Sequence, residues 1–233
     1  MKIILSPTKT MTNKAFDIQV SDPIFSKQAD KIRKILKTYS KDDLKKLYKA
    51  SDKIIDRTYD YYQDAEASCA TINAYDGLVF KQLAITNYSE EHFAYLNDKL
   101  IILSTMYGLL RPSDAIVPYR LDYLMPFEKD MYTYWNEHLS DHFKDEEYII
   151  NLASNEYAKS FEHNNIINIH FINEAGKSLA TAAKMARGQF VNHMVLNNIQ
   201  NLNELKAIEI LDYKYNPTLS DENNLYFQIE VSD

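Results

Sequence analysis

Apolar residues fall into two kinds of run along this chain, and the difference predicts the elements. Lys2–Ser6 (KIILS), Leu100–Ser104 (LIILS) and residues 148–154 (YIINLAS) are short, nearly continuous apolar segments, as expected of strands buried on both faces. Asn168–Ile172 and residues 224–231 (NLYFQIEV) read as two further strands. Phe25, Ile32, Ile35, Leu36 and Tyr39 instead recur at helical spacing. They follow Asp22-Pro23, which reads as an N-cap with proline at the first helical position. Ser40 is placed to cap a second helix carrying Leu44, Leu47 and Tyr48, and Ser51 a third. Helices are also expected over 89–98, 129–144 and 183–198. Residues 107–118 read as a loop, followed by a short alternating strand, YRLDYL, that sets Arg120 and Asp122 on one face.

Strands interleaved with helices predict an α+β (mixed α/β) fold. The expected architecture is a single domain over residues 1–233 with a mixed sheet, surrounding helices and a basic N-terminal helical cluster. No repeat, linker or composition break divides the chain.

Composition removes several classes of function. The one cysteine, Cys69, allows neither an intramolecular disulfide nor a cysteine-based zinc site. It reads as a small buried residue. No run approaches the roughly 18 apolar residues of a membrane span, and MKIILSPTKTM is too weak for a secretory signal, so the cytoplasm is the expected compartment and no membrane partner is expected. Four glycines (Gly77, Gly108, Gly176, Gly188) cannot build a Walker loop or a G-x-G-x-x-G turn. No G-x-S-x-G elbow occurs either. His138 and His142, four apart, could face one metal, but they lack the H-E-x-x-H arrangement and read as a helix face. No metal and no cofactor is implied.

Charge adds one feature. Residues 24–57 hold eleven Lys or Arg against five Asp, in a chain of net charge −7. Such a segment is compatible with local phosphate binding, although a lysine-rich solvated face explains it equally.

Cationic and polar groups also gather where elements end. Ser6, Lys9 and Thr10 close the first strand, and Tyr107, Arg111, Tyr119 and Arg120 follow the strand at 100–104. Ser154 and Glu156 close the strand at 148–154, and Lys184 and Arg187 lie three apart on a helix. Ligands of open α/β sheets collect at strand ends, and arginine forks suit planar oxyanions. Gly188 inside a helix hints at close backbone approach. The competing reading is structural: Arg111 paired with Asp114, and Arg120 with Asp122 or Glu156.

These segments are similar to the YaaA family of bacterial peroxide-stress proteins. The matching stretches are ILSPTKTM at 4–11, SDK at 51–53, AYDGLVF at 74–80, LSTMYGLLRPSDAIVPYRLDY at 103–123, MYTYW at 131–135, NLASNEYAKS at 151–160 and AKMARG at 183–188. The resemblance implies a cytoplasmic protein that limits peroxide damage from unincorporated iron. It also implies DNA as a partner, bound through a positively charged cleft and a helix-hairpin-helix-like element, with no obligate protein partner. It carries over Ser6, Lys9, Thr10, Tyr107, Gly108, Arg111, Pro112, Asp114, Tyr119, Arg120, Ser154, Glu156, Tyr157, Lys184, Arg187 and Gly188. The chain departs from its relatives at Met185 and Asn192, where a Lys and an Arg are frequent, and at Asp76, where a Lys is frequent. Residues 24–57 also lack the glycines that a helix-hairpin-helix places against phosphate.

Two functions remain open on the residues. One is a DNA-binding module using the basic helices together with Lys9, Arg111, Arg120, Lys184 and Arg187. The other is an enzyme acting on a small phosphorylated or nucleobase-like metabolite, with Glu156 or Asp122 as general base. Direct iron sequestration is a weaker third reading, since the six histidines form no ligating motif.

Overall fold

The computed structural model describes residues 1–12, 18–63 and 69–230. Its centre is strand β1 (Lys2–Leu5), which is parallel to β3 (Leu100–Ser104) on one side and β6 (Ile149–Asn151) on the other. Every residue of β3 and β6 is buried, which accounts for their unbroken apolar runs. The sheet continues in parallel through β7 (Ile166–Ile172) and β9 (Asn224–Ile229). Antiparallel strands, β4 (Gly108–Leu110) beside β3 and β8 (Tyr213–Tyr215) beside β9, close its edges. The spatial order is β4-β3-β1-β6-β7-β9-β8, and a second small sheet pairs β2 (Cys69–Ala70) with β5 (Ala115–Ile116).

Helices surround the sheet: α1 (Ser26–Lys37), α2 (Lys41–Tyr48), α3 (Asp52–Gln63), α4 (Thr71–Ala74), α5 (Glu90–Lys99), α6 (Met131–Phe143), α7 (Asn155–Ala158), α8 (Ala180–Leu196) and α9 (Leu202–Lys206). The fold is the expected mixed α/β arrangement, and α1–α3 form the basic cluster. Ser40 caps α2 in a reciprocal box with Asp43, and Ser89 caps α5 by accepting from the His92 amide. Ile32, Leu36, Leu44 and Leu47 tie the cluster to the common core.

Three local expectations change. The helix after Pro23 begins only at Ser26 and its N-cap is Phe25. Residues 23–26 form a turn, with the Ser26 amide on the Pro23 carbonyl, and the Asp22 carbonyl accepts from Arg111. Residues 119–124 are not a strand. Tyr119 points inward as the alternation requires, but the Arg120 amide and carbonyl both bond the Tyr62 hydroxyl, and no neighbouring strand serves them. Within the expected loop 107–118, the three residues of β4 turn back along β3 through Gly108 at φ +73°. A Cβ at Gly108 would sit 2.6 Å from the ring of buried Trp135. Of the strand expected over 224–231, residue 231 lies outside the described residues.

The topology places a crevice. From β1 the chain moves to β3 on one side, whereas from β6 it moves to β7 and β9 on the other. Strand order therefore reverses between β1 and β6, and in open α/β sheets the space outside the carboxyl ends of two such strands is where ligands bind.

Candidate functional site

Two serines knit that crevice together. Ser6 follows β1 and Ser154 lies just beyond β6; the Ser6 hydroxyl donates to Ser154 Oγ at 3.2 Å and accepts the Ser154 amide at 2.8 Å. Asn151 supports the turn, accepting the Ala153 amide at 2.9 Å. Over this floor the loop 76–81 lies directly on residues 8–10. A Cβ at Gly77 would fall 2.4 Å from Thr8 Oγ1, and the Asp76 amide donates to the Thr10 carbonyl at 3.0 Å. The fourth wall is α8. A Cβ on Gly188 would sit 2.1 Å from the Val79 carbonyl oxygen, so only glycine lets this helix seat against the 79–82 turn. The close approach expected from Gly188 is real, and its partner is the protein's own backbone.

The walls enclose a cavity of about 610 Å³, lined by Ser6, Lys9, Thr10, Ser154, Tyr157, Lys184 and Arg187 together with the 76–81 loop. Its cations differ in how they are neutralised. Lys9 Nζ lies 2.8 Å from Asp122 Oδ2, and Lys81 Nζ lies 3.5 Å from Asp76 Oδ1. Neither Lys184 nor Arg187 has a carboxylate partner among the described residues. Arg187 Nε is buried with no hydrogen-bond partner there, and burial pushes the guanidinium pKa down. A guanidinium stays charged even so. Leaving it desolvated without a counter-ion is costly, and an anion in the cavity would relieve that cost.

A carboxylate cluster adjoins the cations. Tyr157 Oη donates to Asp122 Oδ1 at 3.0 Å, and burial raises the phenol pKa, with the Asp122 charge adding to it. Glu156 Oε1 is buried without a partner among the described residues. Burial, followed by repulsion from Asp122, raises the Glu156 pKa. Glu156 is therefore neutral below its raised pKa and adds a negative charge beside Asp122 as pH climbs through it, starting from the ordinary value of about 4.3. The stability carried by the neutral acid falls over that window, and an added negative charge there would oppose any anion in the cavity. Glu156→Gln is expected to flatten the pH dependence of anion affinity measured between about pH 5 and 8.

The remaining expected site residues lie elsewhere. Tyr107 and Tyr119 are buried behind the cleft, in a network in which Tyr119 Oη meets Ser104 Oγ at 2.7 Å and Tyr75 Oη at 2.8 Å. Tyr107 Oη accepts from Arg33 at 2.7 Å. Arg120 sits against α2, its guanidinium 6.0 Å from the Tyr48 ring centroid, with Nε unpartnered among the described residues. Arg111 is carried by β4 to the opposite end of the sheet. There its Nε donates to Asp114 Oδ1 at 2.9 Å and its amide to Oδ2 at 2.8 Å, while the Ser21 hydroxyl donates to Oδ1 at 2.8 Å. It lines a larger cavity of about 1200 Å³ with Lys2 and His142. The structure thus joins Ser6, Lys9, Thr10, Ser154, Lys184 and Arg187 in one cleft, places Glu156 beside it through Asp122, and separates Arg111 from it. Thr8, Gly77 and Lys81 were not singled out by the sequence; Gly77, one of four glycines, was the one available signal.

The basic cluster is partly self-neutralised. Lys41 pairs with Asp56 at 2.6 Å and Lys45 with Asp52 at 2.5 Å across α2 and α3. Lys49, at φ 46°, occupies the left-handed turn between these helices. His138 and His142 both pack on Phe25, at 5.7 and 6.2 Å between centroids. No metal-ligating group of three or more residues occurs among the described residues. Cys69 is buried and burial raises its thiol pKa. The native protein is expected to react with a thiol reagent at least about tenfold more slowly than the unfolded chain; equal rates would show an accessible thiolate.

No helix among the described residues is long and apolar enough to cross a membrane. Residues 1–219 match the family described as Peroxide stress protein YaaA. Curated relatives named UPF0246 protein cover nearly the whole chain. That of Finegoldia magna is 35% identical over 97% of both chains. That of Agathobacter rectalis is 33% identical over 100% of both, and that of Pediococcus pentosaceus 36% over 97% of both. With a family match over almost its full length and relatives above 30% identity, this chain belongs to the YaaA (UPF0246) family.

Proposed function

We propose that this chain is a peroxide-stress protein that acts by binding DNA phosphates, with the β1/β6 cleft as its anion site. One observation carries the reading: Arg187 is half-buried, with Nε buried and without a carboxylate partner among the described residues, three residues from Lys184 at the strand-order switch point. The phosphate backbone holds a condensed layer of cations that a bound protein displaces. Unincorporated ferrous iron belongs to that layer, so covering phosphates keeps iron-derived oxidants from forming against DNA. The lysines of α1 with no acidic partner among the described residues, Lys27, Lys31, Lys34 and Lys37, extend the cationic surface. The test is fluorescence anisotropy of labelled duplex DNA at low and moderate salt. Affinity is expected to fall about tenfold or more between the two, as counterion release requires. Salt-independent binding, or none at low salt, would remove the proposal.

A second reading rests on a separate observation. Glu156, with its pKa raised by burial and by Asp122 and with one oxygen buried, stands beside Asp122, which Lys9 and Tyr157 hold. Two carboxyl groups in unlike environments are suited to acid–base work on a ligand in the cleft. Product formation from a nucleotide mixture, lost in Glu156→Gln, would support it; identical mixtures before and after incubation would dismiss it.

A further inference from the structure

The cleft has two chemically distinct halves. Lys184 and Arg187 supply cationic donors from α8, while Leu5, Val79, Phe80 and Leu152 form an apolar wall between the strand ends and the 76–81 turn. Leu78 lines the same space and is 42% exposed, so a ligand there covers apolar surface now in water. A bare oxyanion would satisfy the first half and leave the second wet. Phe80 and Tyr157 line the same space but are almost fully buried, so the apolar surface open to a ligand is that of Leu78 and Val79. A cavity of about 610 Å³ is in the range that encloses small ligands, so of a DNA strand it takes one phosphate and the nucleotide that carries it.

We infer that the β1/β6 cleft is a mononucleotide site, taking a nucleoside 5′-monophosphate with its phosphate on Lys184 and Arg187 and its base against the Leu78–Val79 wall. This rests on the anion-site reading of the cleft and adds the ligand class. The ligand is either a free nucleotide or one nucleotide of a longer strand; the shared chemistry is one phosphate, one sugar and one base. Thr8 and Thr10 also line the cleft, and their hydroxyls suit a sugar. Arg111 takes no part in this site; its guanidinium is committed to Asp114.

The test is thermal denaturation of the full chain with millimolar nucleoside 5′-monophosphates, the matching nucleosides, ribose 5-phosphate or inorganic phosphate, alongside anisotropy with duplex DNA. A monophosphate near 100 times its Kd is expected to raise Tm by about 5 °C. Nucleosides and inorganic phosphate should shift it by less than about 1 °C. Arg187→Met and Lys184→Met should each abolish most of the shift, and Lys214→Ala, on the far edge strand, should not. Lys184 is exposed, so its variant keeps the test valid if Arg187→Met folds poorly. An equal shift from inorganic phosphate or ribose 5-phosphate would overturn the base-binding half. DNA binding without any nucleotide shift would overturn this inference and leave the DNA reading standing. Absence of both would overturn both.

Discussion

Replacing Asp114 with alanine is expected to lower Tm by about 10 °C while leaving anion binding in the cleft unchanged. The carboxylate is fully buried and accepts from the Arg111 amide, the Arg111 guanidinium and the Ser21 hydroxyl. Removing one partner of a buried pair costs about 3–5 kcal/mol, because the survivor keeps its desolvation penalty without its counter-charge. In a domain of this size each kcal/mol moves Tm by about 2–4 °C. Arg111→Met should cost less, because the guanidinium is partly exposed, and the double variant should cost less than the two single losses added together. Additive losses in this cycle, measured by chemical denaturation, would show that the pair is not coupled. A loss of anion affinity in folded Arg111→Met would return that arginine to the site.

Arg187→Met is expected to do the opposite. Its guanidinium contributes no salt bridge among the described residues and its Nε is buried unpartnered, so an apolar chain of similar length should leave stability equal or raise it by about 1 kcal/mol. Anion affinity should fall by about 2–4 kcal/mol, which is roughly 30- to 1000-fold, as for removal of a desolvated charge-assisted contact. Few structural residues behave this way. A variant that is both less stable and unchanged in binding would mark Arg187 as structural.

Gly188→Ala tests how the site is held. The added methyl meets the Val79 carbonyl, so α8 must shift away from the 79–82 turn, at a cost of about 1–3 kcal/mol for overpacking. Arg187 moves with the helix, so reduced stability and reduced anion affinity should appear together, in contrast to either arginine variant.

The central strands were legible because their chemistry is redundant. β3 and β6 are buried along their length and β1 from Ile3 onward, and unbroken apolar runs such as LIILS admit little else. β4, β5 and β8 are two or three residues long, too short for any period to register. Residues 119–124 carried a strand-like alternation because Tyr119, Leu121 and Tyr123 do point inward. What the pattern does not encode is that Tyr62, from α3, supplies the backbone partners.

The cleft was half legible for a related reason. Polar groups at the ends of β1 and β6 and on α8 converge because parallel strands bring like ends together. Arg111 follows β3 by seven residues, and adjacency in sequence suggested the same end of the sheet. The reversal at Gly108 takes β4 back along β3, and three residues suffice to carry Arg111 towards the opposite end of the sheet. Strand direction is set there by one glycine and the Trp135 ring beneath it.

The most direct test of the cleft as the anion site is a salt-dependent anisotropy titration of labelled DNA with wild type, Arg187→Met/Lys184→Met and Arg111→Met, each confirmed folded. The expected result is salt-sensitive binding by wild type and Arg111→Met, with most affinity lost in the cleft double variant. Wild-type affinity in the cleft variant, with binding lost in Arg111→Met, would contradict the account and place the anion site at the opposite end of the sheet.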